Sequence, residues 1–234
     1  MNLAIIPARS GSTRIKNKNI INFCGRPMLS YPLAAAHGSR LFDTIHVSTD
    51  SPRYAEVVEN IGFNVEFLRD ADHSSNEVGI IETLRWVVKT YANRGCVFDN
   101  ICMVYATAAL IQPDHLRRGY KIFIDHGRKL PVLSVNSFPA PVQRALQINE
   151  KGLLESMYPE TWERHSQTLT PAYQDAAAFF IISSEQLLND DIAVYTEMIP
   201  CVIPRHYTVD IDDTEDLAFA ETLYRGIQKD TDED

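Results

Sequence analysis

Residues 3–19 read LAIIPARSGSTRIKNKN. An apolar strand over 3–6 runs directly into a loop that holds Gly11, three small hydroxyl residues and four cations. In open α/β sheets ligands sit beyond the carboxyl ends of the strands, so this loop is the expected site whatever the ligand. Its chemistry points to phosphate. Gly and Ser let backbone N–H groups approach an anion, and Arg9, Lys16 and Lys18 suit the charge that develops on a leaving pyrophosphate. The spacing is neither GxGxxG nor GxxxxGK[ST], so a dinucleotide fold and a P-loop nucleotide hydrolase both lose support.

Outward from this loop, apolar runs alternate with helical patterns, as in a mostly parallel sheet covered by helices. Strands are expected at 44–48, 65–67, 100–104 and 132–135, and crossover helices at 27–38, 52–60, 77–91 and 113–126. The pattern breaks at 136–140, and a Pro-rich, polar stretch to about Gln174 reads as an insertion. After it come a buried strand at 176–182, a short helix at 184–189, strands at 198–203 and 207–211, and a closing helix at 213–228. The terminal KDTDED is expected to be a frayed tail. The expectation is one α/β domain, 1–234, with an inserted lobe at about 137–175.

Composition narrows the class. The 234 residues, 45% hydrophobic and 23% charged with 10 Gly and 12 Pro, exclude disorder, collagen-like repeats and a disulfide-stapled miniature. Cys24, Cys96, Cys102 and Cys201 form no CxxC pair and no His stands at zinc-ligand spacing, which suits reduced thiols. No apolar run has a membrane span's length. A soluble cytoplasmic protein without a membrane partner is expected. The net charge of −9 argues against a nucleic-acid surface. It is also unevenly spread: residues 1–42 carry Arg9, Arg14, Lys16, Lys18, Arg26 and Arg40 and no acid, which suggests a small anionic ligand near the N-terminus.

PARSGSTRIKNKN, followed by FCGRPMLSYPLAAA and FDTIHVSTDSPRYAEV, resembles the opening of the CMP-sugar synthetases that activate nonulosonic acids, most closely the pseudaminic acid cytidylyltransferases. The likeness continues through Arg69 and Ser74, VYATAALIQP, SFPAPVQRAL, SQTLTPAYQDA and TVDIDDTEDLAFAE, and so covers nearly the whole chain. It implies a Rossmann-like nucleotidyltransferase fold in three layers, CTP and Mg²⁺ as requirements, and a homodimer whose lobe completes the partner's site. The implied reaction transfers CMP from CTP to a sialic-acid-like sugar acid for surface-glycan or flagellin glycosylation. By the same resemblance Ala8, Arg9, Ser10, Lys18 and Asn19 lie around the triphosphate, with Arg9 and Lys18 catalytic. Arg69 and Ser74 lie beside the cytosine, and Tyr105, Ala106 and Thr107 between nucleotide and sugar. Gln143, Arg144, Tyr173 and Asp175 lie near the sugar.

In TVDIDDTED, Asp210 and Asp212 alternate with Val209 and Ile211 on an expected strand, which would turn both carboxylates to one face able to share a hard cation. Helix capping by Asp212 or Asp213, with Glu215 and Asp216 in the first turn, explains the acids equally well. The two coexist if Asp213, Glu215 and Asp216 make the cap. The resemblance assigns Asp210 and Asp212 to the metal. No residue identifies itself as a general base, since the seven histidines form no HExxH or Ser/Cys-His signature.

The chain departs from the family pattern at particular positions. Thr13 replaces a usual Lys, with Arg14 and Lys16 the nearest cations; His165 replaces an Arg; Gln174, Ala177 and Ala178 stand where relatives carry His, Gly and Gln. Methyl groups in place of polar side chains would remove hydrogen bonds to a hydroxyl-rich sugar. These departures motivate the alternative of a non-catalytic nucleotide- or sugar-binding paralogue, while Arg9, Lys18, Asp210 and Asp212 speak for the enzyme.

Overall fold

The computed structural model describes residues 1–74, 78–189 and 194–232. Chain order gives β1 (Asn2–Pro7), the two-residue strands β2 (Asn22–Phe23) and β3 (Arg26–Pro27), α1 (Ser30–Ser39), β4 (Thr44–Ser48), α2 (Pro52–Asn60), α3 (Ile80–Asn93), β5 (Asn100–Val104), α4 (Pro113–Asp125) and β6 (Val132–Ser137). The hairpin β7 (Leu146–Ile148) and β8 (Leu154–Ser156) follows, then β9 (Tyr173–Ser183), α5 (Ser184–Leu188), β10 (Ile199–Val202) and α6 (Thr214–Asp232).

Six strands form the main sheet in the order β10-β6-β9-β5-β1-β4. Only β9 runs antiparallel, to both β5 and β6; the other pairings are parallel. This is the expected α/β fold with a mostly parallel sheet. One face packs Leu33, Tyr54, Leu116 and Phe123 against the strands, and the other packs Leu84, Val87, Tyr91 and Leu187. Both faces are therefore dry, which is why β1 and β5 read as continuous apolar runs. The sheet turns its connections at β1, with β4 on one side and β5 on the other, and this switch point opens a crevice at the strands' carboxyl ends.

A third apolar cluster fixes the first loop. Ile15 packs with Phe23, Met28, Leu110, Ile211 and Ala220, so α6 and the β2–β3 hairpin grip the loop from outside the sheet. The hairpin turns at Cys24 and Gly25, whose φ of 45° and 95° match a two-residue turn with both central residues left-handed.

Several expected elements differ. The helix expected from Pro27 starts at Ser30, because Arg26–Pro27 pairs with Asn22–Phe23. Glu77, the expected start of the next helix, lies outside the described residues, and that helix begins at Ile80. Residues 65–67 form no strand. Phe67 leaves the sheet edge to pack on His46, Trp86 and Tyr91, with ring centroids 4.4, 5.6 and 5.0 Å away. Residues 207–211 form no strand either: a short helical turn over Arg205–Tyr207 carries the chain off the edge, and Thr208 Oγ1 accepts from Asn136 Nδ2 at 2.6 Å instead of joining a ladder. The closing helix runs through Asp232, so the first four residues of the expected tail are helical.

Candidate active site

At the switch point lies an open cleft of about 370 Å³. One wall is the first loop, with Arg9, Ser12, Thr13, Arg14, Ile15, Lys18 and Asn19; opposite stand Tyr105, Ala106 and Thr107 at the end of β5, and Arg69, Thr83 and Asp212 complete the lining. Of the expected residues, Arg9, Lys18, Asn19, Arg69, Tyr105, Thr107 and Asp212 therefore meet in one cavity.

Tertiary bonds hold each wall. Lys18 Nζ donates to the Ile211 carbonyl at 2.6 Å and to Asp212 Oδ1 at 3.2 Å, while Arg14 Nη2 meets Asp212 Oδ2 at 2.8 Å. Buried Asn19 donates to the Arg9 carbonyl at 3.1 Å. Arg69, also buried, donates through Nε to Ser48 Oγ at 2.9 Å and through Nη2 to the Ser48 carbonyl at 2.7 Å, so its guanidinium is aimed by the end of β4. Tyr105 N–H donates to the Ala178 carbonyl at 3.0 Å, which ties the β5 end to β9.

In the acidic segment the cap falls to Asp213 and Asp216. Asp213 Oδ1 accepts from the N–H groups of Glu215 and Asp216 at 2.8 and 3.0 Å, and Asp216 Oδ2 accepts from those of Asp212 and Asp213 at 2.9 and 3.0 Å. This reciprocal box caps α6. Asp210 and Asp212 take no part in the cap with their side chains. Burial, then the neighbouring Asp212 charge, push the Asp210 carboxyl above its ordinary value, with Asp175 and Asp216 adding to it and Lys18 opposing. Burial would raise Asp212 as well, but hydrogen bonds and charge from Lys18 and Arg14 outweigh it and hold that carboxyl low. The two acids are thus electrostatic neighbours although no strand aligns them. Tyr105 joins the same group: burial, then Asp175, Tyr195 and Asp210, push its phenol well up.

A carboxylate kept under pressure by other carboxylates is one a divalent cation would relieve. Among the described residues no three His, Cys, Asp or Glu side chains converge on a common point. A cation at Asp210 and Asp212 would therefore take its remaining ligands from phosphate oxygens and water, the donor set Mg²⁺ favours.

Other expected residues lie apart from the cleft. Ala8 is buried beneath the loop, with its N–H on the Ser48 carbonyl at 2.8 Å. Ser10 turns to Asp50, and Ser74 Oγ donates to the Asp70 carbonyl at 2.5 Å. Gln143 and Arg144 sit in the segment between β6 and β9, where Gln143 donates to Thr170 and Arg144 to the Trp162 and Arg164 carbonyls. Tyr173 is exposed at the start of β9. The departures also find places. Thr13 lines the cleft beside Arg14, whereas Lys16 is exposed outside it. Ala177 and Ala178 are buried beside residues 107–111, 207–209 and Ile211, and neither is in the cleft lining. Gln174 lies in a separate groove with Asn136, Pro139, Arg205 and Phe219.

A family profile described as cytidylyltransferase matches residues 3–126. The pseudaminic acid cytidylyltransferase of Campylobacter jejuni is 35% identical over 224 residues, covering 96% of each chain. The chain belongs to the cytidylyltransferase family. Within this family the CMP-N,N'-diacetyllegionaminic acid synthase of Legionella pneumophila is 26% identical over 225 residues, covering 94% of this chain and 95% of its own. A solved CMP:2-keto-3-deoxy-manno-octonic acid synthetase complexed with CTP shares the fold, with a TM-score of 0.70 at 16% identity over 96% of this chain and 98% of that one. Among the described residues of this cytidylyltransferase no helix is long and apolar enough to cross a membrane.

Sequence reasoning passed over Asp50, which follows β4 in the string VSTD. The rule that marked the loop after β1, that sites gather at strand carboxyl ends, applies to β4 as well.

Proposed function

We propose that this chain transfers CMP from CTP to a nonulosonic acid, specifically pseudaminic acid, in the cytoplasm. The observation that carries the reading is the cleft at the switch point, with cations on one wall and Asp212 facing them, in a chain that aligns end to end with a pseudaminic acid cytidylyltransferase. Arg9, Lys18 and Asn19 take the triphosphate, while Ala8 and Ser10 tie the loop to the end of β4 and leave the anion to those side chains. Arg69 takes the cytosine, and Ser74 shapes the segment that follows it through its bond to the Asp70 carbonyl. Tyr105 and Thr107 stand between nucleotide and sugar, with Asp175 and Tyr173 toward the sugar.

The anomeric hydroxyl oxygen attacks the α-phosphorus, the bond to the bridging oxygen breaks, pyrophosphate leaves with its electron pair, and the hydroxyl proton goes to solvent. Alignment and charge neutralisation supply the rate. Asp210 and Asp212 would hold Mg²⁺, which would supply positive charge to offset that of the leaving pyrophosphate. Lys18 and Arg14 share Asp212 at a partly exposed position, where such ion pairs contribute about 0–1 kcal/mol, so exchanging them for phosphate partners costs little.

A homodimer is part of the reading. Residues 138–172 lie outside the main sheet and expose Leu146, Ile148, Leu154 and Trp162, apolar surface that a second copy would cover. In that assembly Gln143 and Arg144 reach the sugar of the neighbouring subunit.

The test is pyrophosphate release with CTP, Mg²⁺ and a panel of pseudaminic, legionaminic and N-acetylneuraminic acids and the eight-carbon 2-keto-3-deoxy-octonic acid, with ATP, GTP and UTP as controls. CTP-dependent release with pseudaminic acid is expected. CTP binding by calorimetry without release from any acid would make the chain a binding protein on the same fold.

A further inference from the structure

We propose that Asp50 is a positioning residue for this site, clamping the first loop to the end of β4 through Ser10. The inference rests on the reading of the cleft as a CTP site. The Ser10 N–H donates to Asp50 Oδ1 at 2.8 Å and the Ser10 hydroxyl donates to Oδ2 at 2.8 Å, so one residue occupies both oxygens of the carboxylate. Bonds to an ionised acceptor at this length are about twice as strong as neutral ones.

The two residues before Asp50 hold Ala8 and Arg69. The Ser48 carbonyl accepts from the Ala8 N–H at 2.8 Å and from Arg69 Nη2 at 2.7 Å, and the Thr49 carbonyl accepts from the Arg69 N–H at 2.8 Å. Three consecutive residues thus bind the phosphate side at 8–10 and the base side at Arg69, and their spacing sets the distance between the two. The loop needs this support. Between Pro7 and the helical turn at Lys18 it has no regular structure, and it contains Gly11 and three small hydroxyl residues. Released, it must be ordered at the moment of binding, at a cost in affinity. The clamp also commits the Ser10 N–H, so the anion contacts of the loop come from its other groups. Asp50 further serves Arg69 by charge: burial weakens that guanidinium's hold on its proton, and Asp50 opposes the effect where Arg9 adds to it.

The experiment compares Asp50→Ala and Asp50→Asn in the full chain. In the nucleotide-free Ala variant, amide exchange across 8–19 speeds about tenfold while 80–93 is unchanged. By calorimetry its CTP affinity falls about tenfold and its CMP affinity less than about twofold. Asp50→Asn stays within about threefold of the parent, because the amide oxygen accepts the Ser10 N–H while the Ser10 hydroxyl turns to accept from Nδ2. Ser10→Ala, which removes one bond of two, falls between them and carries the test if Asp50→Ala does not fold. Unchanged exchange at 8–19, or equal losses in the Ala and Asn variants, overturns the proposal. Faster exchange in Asp50→Ala with no CTP binding by the parent leaves the clamp standing and removes the CTP reading.

Discussion

Gly119, in the middle of α4, is where helix propensity and packing oppose each other. A Cβ there would lie 2.5 Å from Phe179 Cε2, 2.8 Å from Cζ and 3.3 Å from Ile181 Cδ1. Carbon atoms rest at about 3.5–4.0 Å, so the Phe179 ring must move by about 1 Å. It has nowhere to go, since Phe179 is 0% exposed within the main core and its N–H is fixed to Ser134 Oγ at 2.9 Å. Overpacking of this kind costs about 1–3 kcal/mol, and a 2.5 Å approach to a ring belongs at the upper end. Helix propensity returns about 0.8–1.0 kcal/mol on changing Gly to Ala. Gly119→Ala should therefore destabilise the fold by about 1–2 kcal/mol, lowering Tm by roughly 2–8 °C for a domain of this size. Gly226→Ala in α6 is the control: its Cβ meets nothing within 4 Å, so propensity acts alone and Tm should rise by about 2–4 °C. Thermal unfolding followed by circular dichroism reads both. Phe179→Leu in the Gly119→Ala background should cost less than in the parent, because the smaller side chain admits the methyl group. A Gly119→Ala protein as stable as the parent would refute the reasoning, since propensity would then have outweighed a clash the core cannot relieve.

Asp212→Ala should lower turnover by at least about 10²-fold while urea unfolding stays cooperative and within about 1 kcal/mol of the parent; full activity would remove the metal assignment. Thr13→Lys places a cation in the cleft and should tighten CTP about 3–10-fold by calorimetry, and unchanged affinity would mean that position 13 does not face the phosphates. His46 gives a pH dependence. It is buried with its ring stacked on Phe67, and burial, then the Arg69 and Arg94 charges, lower its pKa from 6.5 to about 3. The unfolded chain takes up a proton below its ordinary value and the folded chain does not, so stability is lost as pH falls from about 6.5 toward 3, at about 1.4 kcal/mol per unit. Unfolding free energies from about pH 7 to pH 5 should fall less steeply in His46→Leu than in the parent; parallel slopes would rule this out.

The local chemistry of the chain determined much. The run at 3–6, the cationic loop behind it, the alternation of strands and crossover helices, and the cap box at Asp213 and Asp216 are interactions among neighbours, which a short window of sequence contains. Collinear motifs made the family legible for the same reason. The strand expected at 207–211 failed because alternation of Val209 and Ile211 with acids does not say whether a sheet edge is there to pair with. In the fold the chain has already turned away at Arg205–Tyr207, and Ile211 faces the cluster beneath the first loop.

Tertiary structure decided what meets what. Lys18 and Asp212 are 194 positions apart and Ser10 and Asp50 are 40 apart, so no periodicity joins them. Packing also gave Ala177 its place. Leu133 pairs with Phe180 but Val135 pairs with Asp175, so the ladder slips between them, and Ala177 takes a φ of 47° in that bulge, which explains why glycine suits the position. The antiparallel β9 is part of the same decision, since it ties Tyr105 to Ala178 and brings Asp175 near Asp210. Sequence fixes what each segment can form from its own bonds and periodicity. The site is made by contacts between segments, whose free energy exists only after the sheet has assembled.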